Sequence, residues 1–241
     1  MAIVTRTTLT PTKLELLTSW LPAQPWYRGT GSGPRLTGVG GFRLDDPAGE
    51  VGMEFLVVTD GSREQPLTYQ VPCTYRGAPL DGAGHALIGT LTHGVLGERW
   101  VYDGAHDPVL VSQLFALVLG RAEPQSQSES DTADPSVVGS FAEPGHPATI
   151  RSSTVADGPH GTDLHVLTGG RDEGGDGGDG SDSGDGDGAD AQPPRRLTIR
   201  LNRLLRPDDG ERPALGQVSA TWRLPDGSRA RGRFAVVSDA P

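Results

Sequence analysis

The sequence predicts an α+β protein: an antiparallel sheet packed on two helices, then a smaller antiparallel β part. Three observations predict it. Between Arg35 and Tyr75, three β-rich runs follow one another with turn signals between them. Two apolar-faced segments, one after Thr10-Pro11 and one after Asp107-Pro108, carry helix-start signals. Leu197–Leu204 alternates with period two, and Val218–Val237 folds around Pro225-Asp226-Gly227-Ser228, a hairpin signal.

The elements follow in order. Ile3–Leu9 is rich in β-branched residues and reads as a strand. Thr10 is the expected N-cap of the first helix, with Pro11 in its first turn. Leu14, Leu16, Leu17, Trp20 and Leu21 form its apolar face, and Pro22 and Pro25 close it. Strands follow at 35–44, at 51–59 (the most apolar run in the chain) and at 67–75. Pro72 lacks an amide hydrogen, so an edge or a bulge is expected there. Residues 79–97 read as irregular, and Arg99–Asp103 as a short strand. The second helix carries Val109, Leu110, Leu114, Phe115, Leu117, Val118 and Leu119, and Gly120 ends it. Short strands are expected at 149–151 and 164–167. The predicted organisation is a first domain over 1–121, a Ser/Gln/Asp/Glu-rich linker over 122–136 and a β-rich part over 137–241.

Composition bounds the function. The 241 residues carry a net charge of −10, with Gly 35 and Pro 20, against a usual combined share of roughly 12%. Residues 172–190 hold eight acids and no base, so the remainder is near neutral. The Gly/Asp/Ser tract 170–194 has almost nothing to bury and is expected to be disordered. No apolar run approaches the ~18 residues of a membrane helix, and no signal peptide is expected, so the reading is cytoplasmic. Cys73 is the single cysteine, which rules out an internal disulfide and is expected to be a buried small residue. Lys13 is the single lysine, so no Walker A motif exists.

Three stretches together resemble the N-terminal cap domain of bacterial maltokinases and related aminoglycoside-phosphotransferase-like sugar kinases. They are Trp26-Tyr27-Arg28-Gly29-Thr30-Gly31, with Thr30 replacing the family's usual lysine; Tyr69-Gln70-Val71-Pro72-Cys73-Thr74-Tyr75-Arg76; and Trp100-Val101-Tyr102-Asp103-Gly104-Ala105-His106-Asp107-Pro108. The match spans roughly residues 1–120. It implies a curved antiparallel sheet packed on two helices, sometimes compared with the cystatin fold. The part after 145 resembles the start of a truncated kinase N-lobe. Within it, Leu197–Pro207 is similar to the strand holding the ATP-contacting lysine, and Arg200 stands where that lysine is expected. Arg does not replace a compact ammonium.

His160-Gly161-Thr162-Asp163-Leu164-His165 resembles the family's His-Gly-Asp-Leu-His loop with a threonine inserted. It precedes the ATP-like strand, and no metal-ligand motif follows. It is therefore expected to be a surface turn entering a strand. Asp179–Asp190 matches an EF-hand spacing without flanking helices, and is expected to be a solvated spacer. Ten Arg after residue 194 could face nucleic acid, but their alternation with Leu, Ile and Val fits the solvated side of strands.

The resemblance and the residues together predict a stand-alone cap-like protein, not an enzyme and without cofactor or metal. It binds or regulates in sugar or α-glucan metabolism. Its expected partner is a sugar kinase or glucan-metabolising enzyme, not a membrane or nucleic acid. The alternative is a divergent ATP-dependent sugar kinase or kinase subunit. Trp26, Tyr27 and Arg28 are the expected ligand or partner surface; the competing reading has Trp26 and Tyr27 stapling the first helix to the sheet.

Overall fold

The computed structural model describes residues 8–29, 31, 33–129, 131–143, 149–169, 194–208 and 213–240. The elements are β1 (Leu9–Thr10), α1 (Lys13–Trp20), β2 (Leu36–Leu44), β3 (Gly52–Asp60), β4 (Leu67–Arg76), β5 (Leu87–His93), β6 (Gly97–Asp103) and α2 (Pro108–Val118). They continue with β7 (Gln125–Ser126), β8 (Val138–Phe141), β9 (Thr149–Gly158), β10 (Gly161–Gly169), β11 (Arg195–Leu201), β12 (Leu204–Leu205), β13 (Gly216–Arg223) and β14 (Arg229–Asp239). Short 3-10 turns at Leu21–Ala23, Gly84–Ala86 and Gly104–His106 add to the two α-helices, so the helical count differs from the expected two.

Every strand pair is antiparallel. The first sheet runs β1-β5-β6-β4-β3-β2-β7, with β12 also pairing with β4. The second runs β8-β13-β14-β11-β10-β9. The expected meander of 35–75 is β2-β3-β4, and the expected hairpin is β13-β14, whose turn Gly227 sits at φ 85.

Sequence patterning explains the layers. In β3, Met53, Phe55 and Val57 face one side and Leu56 and Val58 the other, and both sets are buried. A strand covered on both faces reads as a continuous apolar run, which is why 51–59 is the most apolar stretch. On one face lie α1 and Trp26, with Leu17, Leu21, Tyr69 and Val71. On the other face, Phe42, Phe55 and Val57 meet α2 (Leu110, Leu114, Phe115) and the inner side of the second sheet (Leu197, Ile199, Val218, Phe234) in one core. Phe42 stacks on Phe55 at 4.4 Å and reaches Phe234 of the second sheet at 5.8 Å. Each large apolar side chain buried this way contributes roughly 1.5–3 kcal/mol.

Several expectations are corrected. The N-cap of α1 is Thr12, not Thr10: Thr12 Oγ1 accepts from the Glu15 amide at 3.3 Å, and Glu15 accepts from the Thr12 amide at 2.7 Å. That reciprocal capping box satisfies two helix-end donors, which Thr10 could not do. Pro72 lies on neither an edge nor a bulge. It pairs with Phe55 of β3 on one side, while on the other β4 passes from β12 (at 68–69) to β6 (at 73–76), so its missing donor falls in the gap between partners. Residues 79–97, expected to be irregular, contain β5. The stretch 122–136 carries β7 on the first sheet. The expected strand 3–9 is described only from Thr8 onward, and the acidic tract 170–193 lies outside the described residues.

Candidate functional site: an arginine-lined cleft beside residues 26–28

The chain leaves α1 through Pro22 and Pro25, which places Trp26, Tyr27 and Arg28 against the first sheet. Trp26 is 1% exposed, 5.8 Å from Trp20 and 6.1 Å from Tyr69, with the Arg203 guanidinium 4.9 Å above its ring. It leaves no ring face open to a ligand. Tyr27 packs on Tyr69 at 5.5 Å and donates its hydroxyl to Asp60 Oδ2 at 2.7 Å. Burial and the Asp60 carboxylate push the Tyr27 phenol well above its ordinary range. Gly29 permits this pose, because a Cβ there would sit 2.4 Å from the Tyr27 ring. The two aromatics therefore staple α1 and its exit to the sheet. Arg28 differs. Its amide donates to Tyr69 at 3.1 Å and its carbonyl accepts from Arg63, while its side chain is exposed.

Trp26 and Arg28 border a cleft of about 780 Å³ on the outer face of the second sheet. Its floor follows from strand alternation: Leu197, Ile199 and Leu201 enter the core, so Thr198, Arg200 and Asn202 face out. Val236 and Ser238 of β14 pair with Arg200 and Thr198 and complete the floor. His160, Arg206 and Arg233 close the sides.

Arg200 and Asp163, the two residues singled out for their kinase resemblance, are direct cross-strand partners on β11 and β10. They form a two-pronged ion pair: Arg200 Nε to Asp163 Oδ1 and Nη2 to Oδ2, both 2.6 Å. The Arg200 guanidinium beside it holds the Asp163 carboxyl below the usual carboxylate range. Gly161, where the resembling loop enters β10, sits at φ 139, and a Cβ there would lie 2.5 Å from the Leu201 carbonyl oxygen. The turn into a strand expected here is what the structure contains.

Beneath the cleft lies a network the sequence did not announce. Arg203 is fully buried; its Nη2 donates to Asp103 at 2.6 Å and its Nε to Thr162 at 2.8 Å. Thr162 in turn donates to Asp157 at 2.5 Å, and His106 Nε2 lies 3.5 Å from the same carboxylate. Burial raises the Asp157 carboxyl, but the His106 and Thr162 hydrogen bonds and the Arg203 charge outweigh it and leave it lowered. Arg203 thus ties the end of β6 in the first sheet to β10 in the second. Its sequence signal is a charge at the inward position that the alternation of Leu197, Ile199 and Leu201 reaches next.

A second groove, about 580 Å³, lies at the β5–β6 end of the first sheet. Its centre is Glu54, 3% exposed, which accepts from Lys13 at 2.5 Å, Tyr75 at 2.8 Å and Gln127 at 2.8 Å. The single lysine is thus committed to a buried carboxylate. Cys73 is buried, and burial followed by the Glu54 charge pushes its thiol up, so it is inert as a nucleophile. Among the described residues, no group of three or more His, Cys, Asp or Glu could hold a metal. No helix among them is long and apolar enough to cross a membrane.

The family model of the maltokinase N-terminal cap domain matches residues 20–107. That span runs from the last residue of α1 through β2–β6 to the Asp107 cap of α2. It contains Asp103, Trp26 and Arg28, whereas Arg200, Arg203 and Asp163 lie beyond it. A search of curated proteins finds no match to the chain.

Proposed function

From a maltokinase N-terminal cap over residues 20–107, we propose that this protein binds or regulates in sugar and α-glucan metabolism and does not itself transfer phosphate. The partner is a sugar kinase or glucan-modifying enzyme, in the cytoplasm, and the second sheet is the counterpart of a truncated kinase N-lobe. The observation that carries the reading is the Asp163–Arg200 pair. A kinase needs its catalytic Asp free to accept the acceptor hydroxyl's proton, and its nucleotide cation free to face phosphates. Here the two nearest counterparts neutralise one another. A general base works best with a pKa near the operating pH, and Arg200 moves Asp163 the other way.

The test is turnover. The purified protein, given maltose, MgCl₂ and ATP, is expected to form no sugar phosphate by ³¹P NMR. Added to a purified maltokinase, it is expected to change that enzyme's kcat or KM. Sugar phosphate formed by the protein alone, and lost in Asp163→Asn, would replace this reading with that of a divergent kinase.

A further inference from the structure

We propose that the arginine-lined cleft is a binding site for a phosphate ester of a small polar metabolite. Among the described residues, four arginines (Arg28, Arg200, Arg206 and Arg233) and His160 line it, with Asp208 as the lining carboxylate. The chain as a whole carries −10. Cations gathered in one cleft of an acidic protein repel each other and raise the local concentration of anions.

The individual arginines divide by how they are used. Arg203, Arg76 and Arg195 elsewhere are spent on carboxylates. In the cleft, Arg233 Nε is 3.5 Å from Asp208, and Arg200 gives Nε and Nη2 to Asp163, leaving its Nη1 edge on a half-exposed side chain. Arg28 and Arg206 are exposed, and among the described residues neither side chain holds an ion pair. Their planar forks match two oxygens of a phosphate. Folding does not require them there, since neither adds a cross-link to the core.

The rest of the lining selects what the phosphate is attached to. Asn202 donates to the Arg233 carbonyl at 3.0 Å, which leaves its side-chain oxygen as an acceptor. The Thr198 hydroxyl adjoins the His165 ring at 3.2 Å. These groups suit hydroxyls. The aromatic ring nearest the cleft, Trp26, is buried beneath Arg203 and cannot stack on a base, whereas single-stranded nucleic acid relies on such stacking. The volume, about 780 Å³, exceeds an inorganic anion and lies within the roughly 300–1,000 Å³ of small-molecule sites. The site does not depend on what partner the cap serves, so its failure leaves the proposed function standing.

Calorimetric titration of the full chain with glucose 1-phosphate, inorganic phosphate, ADP and a 12-nucleotide single-stranded DNA tests it. Saturable one-site binding of glucose 1-phosphate, at least tenfold tighter than inorganic phosphate, is expected. ADP binding as tightly as glucose 1-phosphate would overturn the proposed selection, since no aromatic ring at the cleft is open to its base. Arg28→Ala and Arg206→Ala should each weaken binding at least tenfold with unchanged thermal midpoints, because both side chains are exposed. Arg223→Ala, an exposed arginine on β13 outside the cleft, should change it less than twofold. No saturable binding of glucose 1-phosphate, equal losses in Arg223→Ala and Arg28→Ala, or DNA binding that glucose 1-phosphate does not displace, would overturn the proposal.

Discussion

Replacing Arg203 with methionine should cost the protein a large part of its stability. The guanidinium is fully buried, 2.6 Å from an Asp103 that is itself 2% exposed, and 4.9 Å over the Trp26 ring. Methionine keeps much of the volume but leaves Asp103 charged and unpaired in the interior. Breaking a buried pair from one side costs about 3–5 kcal/mol, and a desolvated cation–π contact about 2 kcal/mol more. Packing of the methionine thioether offsets part of this, so the net loss is about 4 kcal/mol. A typical domain has only about 5–15 kcal/mol in total. With a urea slope of about 2–3 kcal/mol/M, the midpoint should fall by roughly 1.3–2 M. Tryptophan fluorescence, to which Trp26 contributes among the four tryptophans, reports the transition. Asp103→Leu in the Arg203→Met background should recover most of the loss, because an apolar replacement of a buried pair is often neutral. Full recovery is not expected, since Asp103 also accepts from the Ala105 amide at 3.2 Å. A midpoint for Arg203→Met within 0.3 M of the parent, roughly 1 kcal/mol, would refute the role assigned to this residue.

Other outcomes follow from the same geometry. Gly139→Ala on β8 should lower stability by about 1–3 kcal/mol, because the new Cβ would lie 2.0 Å from the Leu117 carbonyl oxygen of α2; thermal unfolding measures it. Thr12→Ala should cost about 1 kcal/mol by removing the capping box of α1, read from the urea midpoint. Glu54→Leu should expose the Lys13 amine to acylating reagents several-fold faster, since that carboxylate accepts from Lys13; an unchanged modification rate would contradict the buried pairing. Arg200 lowers Asp163; at Asp60 burial acts upward, but the Arg35 amide, the Tyr27 hydroxyl and Ser62 outweigh it. Carboxylates lowered on folding contribute stability that is present above the unfolded value of about 3.9 and lost as pH falls through the lowered values. Circular dichroism should therefore show a stable fold at pH 5 and loss below about pH 4; a loss centred at pH 6 would contradict it.

What the sequence disclosed depended on how local each cause was. β3, α2 and the β13–β14 turn were legible because burial on two faces, the Asp107-Pro108 cap and Pro-Asp-Gly-Ser each act within a few residues. The Leu197–Leu204 alternation located β11, although that strand ends at Leu201 and Leu204–Leu205 pairs instead with β4 of the first sheet. β5 was missed because Gly84, Gly89 and Gly94 mask a strand whose Ile88 and Leu91 are held by contacts to α1 and β6. β7 and β8 were missed because a Gln-Ser or Gly-Ser strand is recruited by its neighbours and not by its own propensity. Of the surface expected at 26–28, Arg28 reaches the cleft, whereas Trp26 and Tyr27 are held by Tyr69, Asp60 and Arg203. Those partners are distant in sequence, and no local pattern distinguishes a stapling aromatic from a ligand-stacking one. The pairing of Asp163 with Arg200 required the register of β10 on β11, which the intervening acidic tract conceals.

The proposal that Asp163 and Arg200 neutralise one another, and so do not serve phosphoryl transfer, stands or falls with the ¹³C carboxyl titration of Asp163. A midpoint below the ordinary aspartate value of about 3.9, rising in Arg200→Ala, is expected. A midpoint near neutrality, unmoved by loss of Arg200, would contradict it.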